Sequence, residues 1–203
     1  MLAIAHTTAT AYDMVSNVPA TRWEASERPS KTDASGIERT RHGAFISGAV
    51  AFDNGHFAIS PAEAGAMDPQ QRVLLEGGYV ALHASSFDKA MLNGSGTGVA
   101  LGIYATEFAQ LLAGSPLGRS VYASTNALSI ASGRVSFALG LQGPCASFET
   151  ACSASLVASH SAARALQHSE CNAHLAAGMN LMLLQASSIG MATAGMTSVA
   201  GRC

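Results

Sequence analysis

The pattern of hydrophobic and polar residues becomes regular near residue 45, after a stretch rich in Ser, Thr, Pro and Arg that predicts irregular structure. Two helix starts follow this stretch. Ser60-Pro61-Ala62-Glu63 combines a capping box with a proline at the first helical position, and Asp68-Pro69-Gln70-Gln71 repeats the arrangement. We therefore expect one helix to begin at Pro61 and a second helix at Pro69.

The second helix is expected to bury one of its sides. Its apolar residues recur at helical spacing and predict a buried stripe formed by Val73, Val80 and Ala84, with Leu74 and Ala81 beside it. Gly77 and Gly78 lie within the same helix, where each costs about 1 kcal/mol relative to alanine. Such a pair is expected only where close packing compensates for this cost.

Strands alternate with helices along the rest of the chain. Residues 99–104 form an apolar run typical of a strand, and residues 126–141 have the composition of a small-residue helix. Residues 145–150 predict a short strand, residues 151–168 a helix, and residues 172–184 a turn followed by a buried strand. This order predicts an α/β fold with a largely buried sheet.

The glycines at 94, 96 and 98 stand before the first of these strands. They lack the spacing of phosphate-binding loops, which follow a strand and open a helix. The cluster therefore predicts a turn at Asn93-Gly94 that leads into a buried strand.

Charge is scarce in this chain. Only 12% of the residues are charged and the net charge is −2, with Lys and Arg scattered singly. This distribution argues against nucleic-acid binding, and no apolar run reaches the roughly 20 residues that a membrane span requires. With so little charge on its surface, the chain is expected to bury apolar area against a partner subunit or another part of the same fold.

Cys152 stands at the junction between a predicted strand and a predicted helix. Unpaired backbone N–H groups and the positive end of a helix favour a thiolate at such a junction. The flanking residues are small and leave room beside the sulfur for an acyl chain: Ala151, Ser153, Ala154 and Ser155. The position predicts a nucleophile, with a buried structural cysteine as the alternative.

The other cysteines and the histidines offer less chemistry. Cys145 falls in a predicted strand, Cys171 in a loop after the helix, and Cys203 at the end of the chain. No cysteines have CxxC spacing and the seven histidines form no HExxH pair, so no metal site is predicted. His160 is expected to be a buried or interface side chain, and the chain to be reduced and intracellular.

Several segments together resemble the β-ketoacyl synthase (ketosynthase) domain of type I polyketide synthases, a thiolase-like family. They are DPQQR at residues 68–72, the Gly-Pro pair at 143–144 and ETACSASLVASHSAARAL at 149–166, supported by VPATRW, GAF, FDNGHFAISPAEAGAM and AGMTSVAGRC. The segments also occur in the family's order, which makes the match specific. The resemblance implies a partial thiolase-like fold with layered α-β-α architecture, the N-terminal half of a ketosynthase, in residues 21–203 after an irregular arm at residues 1–20.

The resemblance also implies a decarboxylative Claisen condensation in which Cys152 is the acylated nucleophile. An acyl chain passes from the phosphopantetheine thiol of an acyl carrier protein to Cys152, and a malonyl-type extender then loses CO2 and attacks the acyl thioester. The chain itself is expected to bind no cofactor. Its implied partners are acyl carrier protein and a second copy of the chain, paired through the strand before Cys152.

The match lacks part of the family's catalytic set. Ketosynthases have two catalytic histidines, a lysine and an oxyanion-hole segment, all of which would lie beyond Cys203, and their Gly-rich opening strand is replaced here by MLAIAHTTATAYDM. The histidines of this chain occupy none of those positions and receive no catalytic role. We therefore expect an early central strand to be absent or replaced, and the chain alone to be inactive in condensation.

Two functions of different class stay open. The chain is either a half-enzyme that works with a separate C-terminal ketosynthase half, or a non-catalytic thiolase-like protein that dimerises or binds carrier protein. An α/β-hydrolase is a distant third, because Cys152 lacks the flanking glycines of G-x-S-x-G. A cytoplasmic location is expected, with plastid targeting as the alternative because the Thr/Ala-rich N-terminus faintly resembles a transit peptide.

Overall fold

The computed structural model describes residues 13–20, 22–23, 38–46, 48–104 and 107–202. The chain divides into two compact units, one formed by residues 49–181 and the other by the described parts of residues 1–48 and 182–203. Only residues 13–20 of the predicted N-terminal arm are described, and the rest of that arm lies outside the described residues.

The described part of the chain contains five strands and seven α-helices. In chain order they are β1 (Val15–Asn17), β2 (His42–Ala44), α1 (Pro61–Ala66), α2 (Pro69–Ala84), α3 (Lys89–Leu92), β3 (Gly98–Ile103), α4 (Glu107–Ala113), α5 (Leu128–Leu139), β4 (Cys145–Phe148), α6 (Ala154–Gln167), β5 (His174–Met179) and α7 (Gln185–Thr193). Three short 3₁₀ turns complete the list, at Pro116–Arg119, Val121–Asn126 and Ala151–Ser153.

The smaller unit contains one short pair of strands and one helix. Strands β1 and β2 run antiparallel, with Val15 opposite Ala44, and helix α7 belongs to the same unit. The sequence pattern does not indicate β1 or β2, because three residues are too few for an alternation of polar and apolar positions to be recognised.

The larger unit is built on a parallel sheet. Its described strands are ordered β4-β3-β5, and Val99 of the central strand lies opposite Cys145 on one side and Leu175 on the other. All six residues of β3 are buried. Parallel strands need crossover connections, which α5 and α6 provide with the loops beside them. This confirms the predicted α/β class.

Helices cover both faces of this sheet. Val99, Leu101 and Ile103 point to one face, where they pack in the main hydrophobic core with Leu75 of α2 and Val135 of α5. Ala100 points to the opposite face and packs against Ala158 and Ala162 of α6. The successive residues of β3 therefore serve two different helix layers, as expected for a layered α-β-α arrangement.

The two predicted helix starts are confirmed. Helix α1 begins at Pro61, and Ser60 Oγ accepts a hydrogen bond of 3.2 Å from the Glu63 N–H. Helix α2 begins at Pro69, and Asp68 Oδ1 accepts a hydrogen bond of 2.8 Å from the Gln70 N–H. Both caps satisfy backbone donors that a helix leaves unpaired at its start.

The predicted buried stripe of α2 is wrong in part. The buried apolar positions are Leu74, Leu75, Gly78 and Leu82, whereas Val80 is 46% exposed and Ala84 is also exposed. The face is rotated because Gly78 packs closely on the sheet, where an added Cβ would lie 2.9 Å from Cδ2 of Leu175. Close packing thus compensates for the helical glycine at position 78, as the sequence required.

The last two strands also differ from prediction. Strand β4 ends at Phe148 rather than at residue 150. Strand β5 is only partly buried, with Leu175 inaccessible but Ala176 and Gly178 exposed. An outer strand of the described sheet has a neighbouring strand on one side only, so small residues along its other edge stay accessible. Among the described residues, every helix is too short or too polar to cross a lipid bilayer.

Candidate functional site

Cys152 lies where the three parallel strands end together. Ile103, Phe148 and Met179 are the last residues of β3, β4 and β5, and Cys152 follows Phe148 by four positions. In open parallel sheets this carboxyl edge is the usual place for a ligand site. The sequence placed Cys152 between a strand and a helix, and the structure agrees.

A strained turn connects β4 to the helix after it. Ala151 has a φ of +52°, in the left-handed region that residues with a side chain rarely adopt. A 3₁₀ turn spans Ala151–Ser153, and α6 begins at Ala154. A left-handed residue other than glycine costs on the order of 1 kcal/mol and persists only where its surroundings fix it, which often occurs at functional positions.

Hydrogen bonds within the turn hold it closed. Ser153 Oγ donates to the carbonyl oxygen of Thr150 at 2.8 Å and lies 3.0 Å from Thr150 Oγ1. The Ser153 N–H also donates to the Thr150 carbonyl at 3.3 Å. These hydrogen bonds join Thr150, which precedes Cys152, to Ser153, which follows it. They therefore fix the backbone conformation at Cys152.

Cys152 is solvent-exposed and stands two residues before the first residue of α6. The alternative of a buried structural cysteine is therefore wrong for this residue. Cys152 thus stands beside the start of a 14-residue helix, whose first N–H groups have no partners within the helix and whose dipole is positive at this end. A thiol in this place can be reached by a reactant.

Two glycines of the sheet lie directly beneath the start of α6. An added Cβ at Gly102 of β3 would meet backbone atoms of Ala154 and Ser155 at 2.4 Å, and one at Gly178 of β5 would meet Cβ of Ser155 at 2.5 Å. The sequence analysis did not identify either glycine as part of the site. The available signal was a glycine inside a strand, which often marks a close approach of another backbone.

The DPQQR segment braces the same region of the fold. The Asp68 N–H donates to Asn126 Oδ1 at 2.8 Å, and Asn126 Nδ2 donates to the Ala66 carbonyl at 2.8 Å. Gln70 Oε1 accepts a hydrogen bond of 3.2 Å from the Leu181 N–H, just beyond the end of β5. These side chains are buried and connect the start of α2 to segments distant in sequence, so the role of DPQQR here is structural.

The buried carboxyl of Asp68 is electrostatically perturbed. Burial raises the pKa of this carboxyl, although its hydrogen bonds to Gln70 and the charge of Arg72 act in the opposite direction. Arg72 in turn donates through Nε to the Met67 carbonyl at 3.0 Å. Because both side chains are occupied by structural contacts, we assign neither of them to the chemistry of Cys152.

The two other described cysteines lie away from this edge. Cys145 is exposed at the first residue of β4, and Cys171 is buried in the loop before β5. Cys203 and His6 lie outside the described residues. His160 is exposed on α6, so the prediction that it is buried is wrong and the interface alternative stays a prediction.

A cavity of about 220 Å³ lies beside Cys145 at the amino edge of the sheet. Arg164, Glu170 and His174 contribute to its lining, and burial lowers the pKa of the His174 imidazole. Arg164 is engaged with its own helix, donating to Gln167 Oε1 at 2.7 Å. Because Cys145 and His174 are the first residues of β4 and β5, the cavity lies at the opposite end of the strands from Cys152.

Comparison with known proteins gives a consistent result. The model of the β-ketoacyl synthase N-terminal domain matches residues 5–203. The chain is 42% identical over 200 residues to the polyketide synthase GfsB of Streptomyces halstedii, a match that covers 94% of this chain and 4% of that protein. It is also 42% identical over 193 residues to a phenolphthiocerol synthesis polyketide synthase type I of Mycobacterium bovis, covering 94% of this chain and 9% of that protein.

Solved structures show the same similarity. A ketosynthase from module 6 of the bacillaene synthase of Bacillus subtilis superposes with a TM-score of 0.86 at 30% sequence identity. The superposition covers 98% of this chain and 33% of that one. The chain thus spans about a third of a solved ketosynthase and less than a tenth of the curated relatives named above.

Proposed function

The chain belongs to the β-ketoacyl synthase family, as a ketosynthase-like N-terminal domain of the polyketide synthase type, and from this membership we propose that Cys152 accepts an acyl chain from a carrier-bound thioester. The predicted thiolase-like α/β fold is confirmed by the ketosynthase structures it resembles. The observation that supports the proposal best is the exposed thiol of Cys152 on a strained strand-to-helix turn at the carboxyl edge of the sheet.

The proposed step is an exchange of thioesters. The Cys152 thiolate attacks the carbonyl carbon of an acyl group that is bound to the phosphopantetheine thiol of a carrier protein. A carbon–sulfur bond forms to Cys152, the bond to the phosphopantetheine sulfur breaks, and the proton released by Cys152 ends on the departing thiol.

Condensation with a malonyl-type extender requires groups that the family resemblance assigns to positions after Cys203. The enolate formed on loss of CO2 needs placed hydrogen-bond donors, and the loss of one such donor typically costs about 100- to 1000-fold in rate. We therefore propose that the 203-residue chain alone is acylated slowly and does not condense.

The outward face of α6 supports the proposal of a C-terminal half. Leu156 is 73% exposed and Leu166 is 43% exposed, and His160 and Ala163 are exposed on the same helix. Burial of these large apolar side chains would be favourable, because apolar surface that stays exposed to water contributes nothing to stability. A C-terminal ketosynthase half that covers this face would remove that penalty and bring its own catalytic groups to Cys152.

The outer strand β4 supports the proposal of a homodimer. In the described sheet β4 pairs on one side only, with β3, so its other edge has unpaired N–H and C=O groups. Helix α5 packs beside it, where Ser147 Oγ donates to Ser132 Oγ at 2.9 Å, and Phe137 of the same helix is 90% exposed. A second copy that adds its own β4 to this edge would pair the backbone and cover apolar surface.

Acyl mapping by mass spectrometry tests the function. The chain is incubated with an acyl carrier protein loaded with a short acyl group, digested and mapped, and the Cys152→Ala and Cys145→Ala variants are treated alike. We expect an acyl adduct on Cys152 that disappears in Cys152→Ala and persists in Cys145→Ala, which removes the other thiol that is exposed among the described residues.

Two results would contradict the proposal. Equal acylation of Cys145 and Cys152 would show that Cys152 is merely accessible rather than activated. Release of CO2 from a malonyl carrier protein by the chain alone would refute the requirement for a C-terminal half. Carrier-protein binding with no acylation of any cysteine would instead favour the non-catalytic alternative.

A further inference from the structure

We propose that Gly102 and Gly178 are positioning residues for Cys152: the missing side chains at these two positions set how closely the start of α6 approaches the sheet, and so where the thiol lies. This inference rests on the proposed role of Cys152. It adds two residues that act through the backbone of α6 and do not touch the reacting atoms.

Gly102 acts on the backbone of the helix. An added Cβ at this position would lie 2.4 Å from the carbonyl carbon of Ala154, 2.4 Å from the amide nitrogen of Ser155 and 2.6 Å from the Ala154 oxygen. These distances are about 1 Å shorter than ordinary van der Waals contact. Backbone atoms cannot rotate out of the way, so any side chain at residue 102 must displace the first turn of α6 or bend β3.

Gly178 acts on a side chain of the same turn. An added Cβ would lie 2.5 Å from Cβ of Ser155 and 3.4 Å from its Oγ. Because a Cβ is fixed by its own backbone, Ser155 cannot avoid this contact by changing rotamer. Removal of the Ser155 side chain, however, removes the conflict, which makes the pair Gly178 and Ser155 separable by mutation.

A displacement of this turn is transmitted to Cys152 over a short, stiff path. Ala154 and Ser155 follow Cys152 by two and three residues. Ser153 is hydrogen-bonded to Thr150, and Ala151 is already at a φ of +52°, so the segment between the strand and the helix has little freedom to absorb a shift. A misplacement of about 1 Å in a catalytic group can cost about 100-fold in rate.

The test uses four forms of the full chain: wild type, Gly178→Ala, Ser155→Gly and the double variant. Cys152 is followed by peptide mapping in two reactions, acylation by a carrier-bound thioester and alkylation by iodoacetamide as a function of pH, and unfolding in urea is measured on each form. Gly78→Ala is the matched control, since its added Cβ meets side chains rather than backbone, with Cδ2 of Leu175 at 2.9 Å and Cγ1 of Val135 at 3.8 Å, on the other face of the sheet.

We expect Gly178→Ala to lower the acylation rate of Cys152 by about 100-fold and to change the rate of its alkylation across the pH series, because the thiol is displaced together with the start of α6. The double variant should return both readouts to those of Ser155→Gly. Gly78→Ala should leave both at the wild-type values. A purely structural role would change the urea midpoint without moving the alkylation profile.

The inference would be overturned if folded Gly178→Ala kept the wild-type alkylation profile. It would also be overturned if the double variant kept the reduced acylation rate of Gly178→Ala. If Gly178→Ala fails to fold, the double variant decides, because it should fold and react as Ser155→Gly does; a double variant that stays unfolded refutes the proposed contact. If no form is acylated, the proposed function fails, while the alkylation profiles still test the positioning of Cys152.

Discussion

The two faces of the central sheet differ in the size of their side chains, which are large on one face and small on the other. On one face, β3 presents Val99, Leu101 and Ile103 to the core that it shares with α2 and α5. On the other face it presents only Gly98, Ala100 and Gly102, and α6 packs there with a row of buried alanines at positions 154, 158, 162 and 165. The same six-residue strand therefore packs against large apolar side chains on one face and against small side chains close to the helix backbone on the other.

This difference separates stability from position. Large side chains bury most of the apolar area and can adjust by small rotations, so the first face contributes most of the hydrophobic stabilisation. Alanine and glycine bury little area but allow the helix to approach closely, and a close contact between backbones leaves no slack. The face that contributes less free energy is the one that holds the turn with Cys152.

The largest effect on stability is expected from Leu101→Ala. This residue is fully buried among the large side chains, and its truncation should lower the free energy of unfolding by about 2–5 kcal/mol. Urea titration measures the loss, and Leu156→Ala, the same change at a 73% exposed position, is the control. Alkylation of Cys152 in the folded fraction should keep its wild-type pH profile, and a shifted profile would erase the distinction between the faces.

Ala158→Leu tests the small-residue face by the reverse change. Ala158 is fully buried against Ala100, and the larger side chain should cost about 1–3 kcal/mol by overpacking while it lifts α6 from the sheet. We expect a smaller loss of stability than in Leu101→Ala but a clear change in the reactivity of Cys152. Ala163→Leu, on the exposed side of α6, should change neither, and equal effects of the two leucines would argue against close packing at Ala158.

A glycine on the large-residue face should tolerate alanine. In Gly78→Ala the new Cβ meets the end of a leucine side chain that can turn aside, and alanine gains up to about 1 kcal/mol in helix propensity. The net change in the free energy of unfolding is expected to lie within about 1 kcal/mol of zero. Gly133→Ala on α5, with open space around it, should be stabilising, and a severe loss in Gly78→Ala would mean that the large-residue face is as rigid as the other.

The smallest effect concerns pH at the amino edge of the sheet. Burial lowers the pKa of His174, so the unfolded chain takes up a proton near the ordinary value of 6.5 while the folded chain resists it. Stability should therefore fall as the pH drops below 6.5 and through the lower pKa of the folded state. The urea midpoint of the wild type minus that of His174→Gln isolates this effect from other titrating groups and should fall as the pH is lowered below 6.5. A wild-type midpoint that rises relative to the variant as the pH is lowered would have the wrong sign.

Features that depend on neighbours along the chain could be predicted from the sequence. The helix starts at Pro61 and Pro69 could be predicted because a cap and a proline act within one turn. The order of strands and helices and the junction at Cys152 followed from local composition. Family membership was also visible there, because several ordered segments match and each is short enough to be recognised without a fold.

Only the tertiary structure decided which of these local features meet. Val80 and Ala84 satisfy the helical spacing as well as Leu75 and Leu82 do, and the choice between them was made by the contact of Gly78 with Leu175, almost a hundred residues away. The importance of Gly102 and Gly178 likewise depends on their contacts with Ala154 and Ser155, which the spacing of residues along the chain cannot indicate. Burial and close contact are set by distance in space, so the position of Cys152 above the sheet became visible only when the strands were paired and α6 was laid across them.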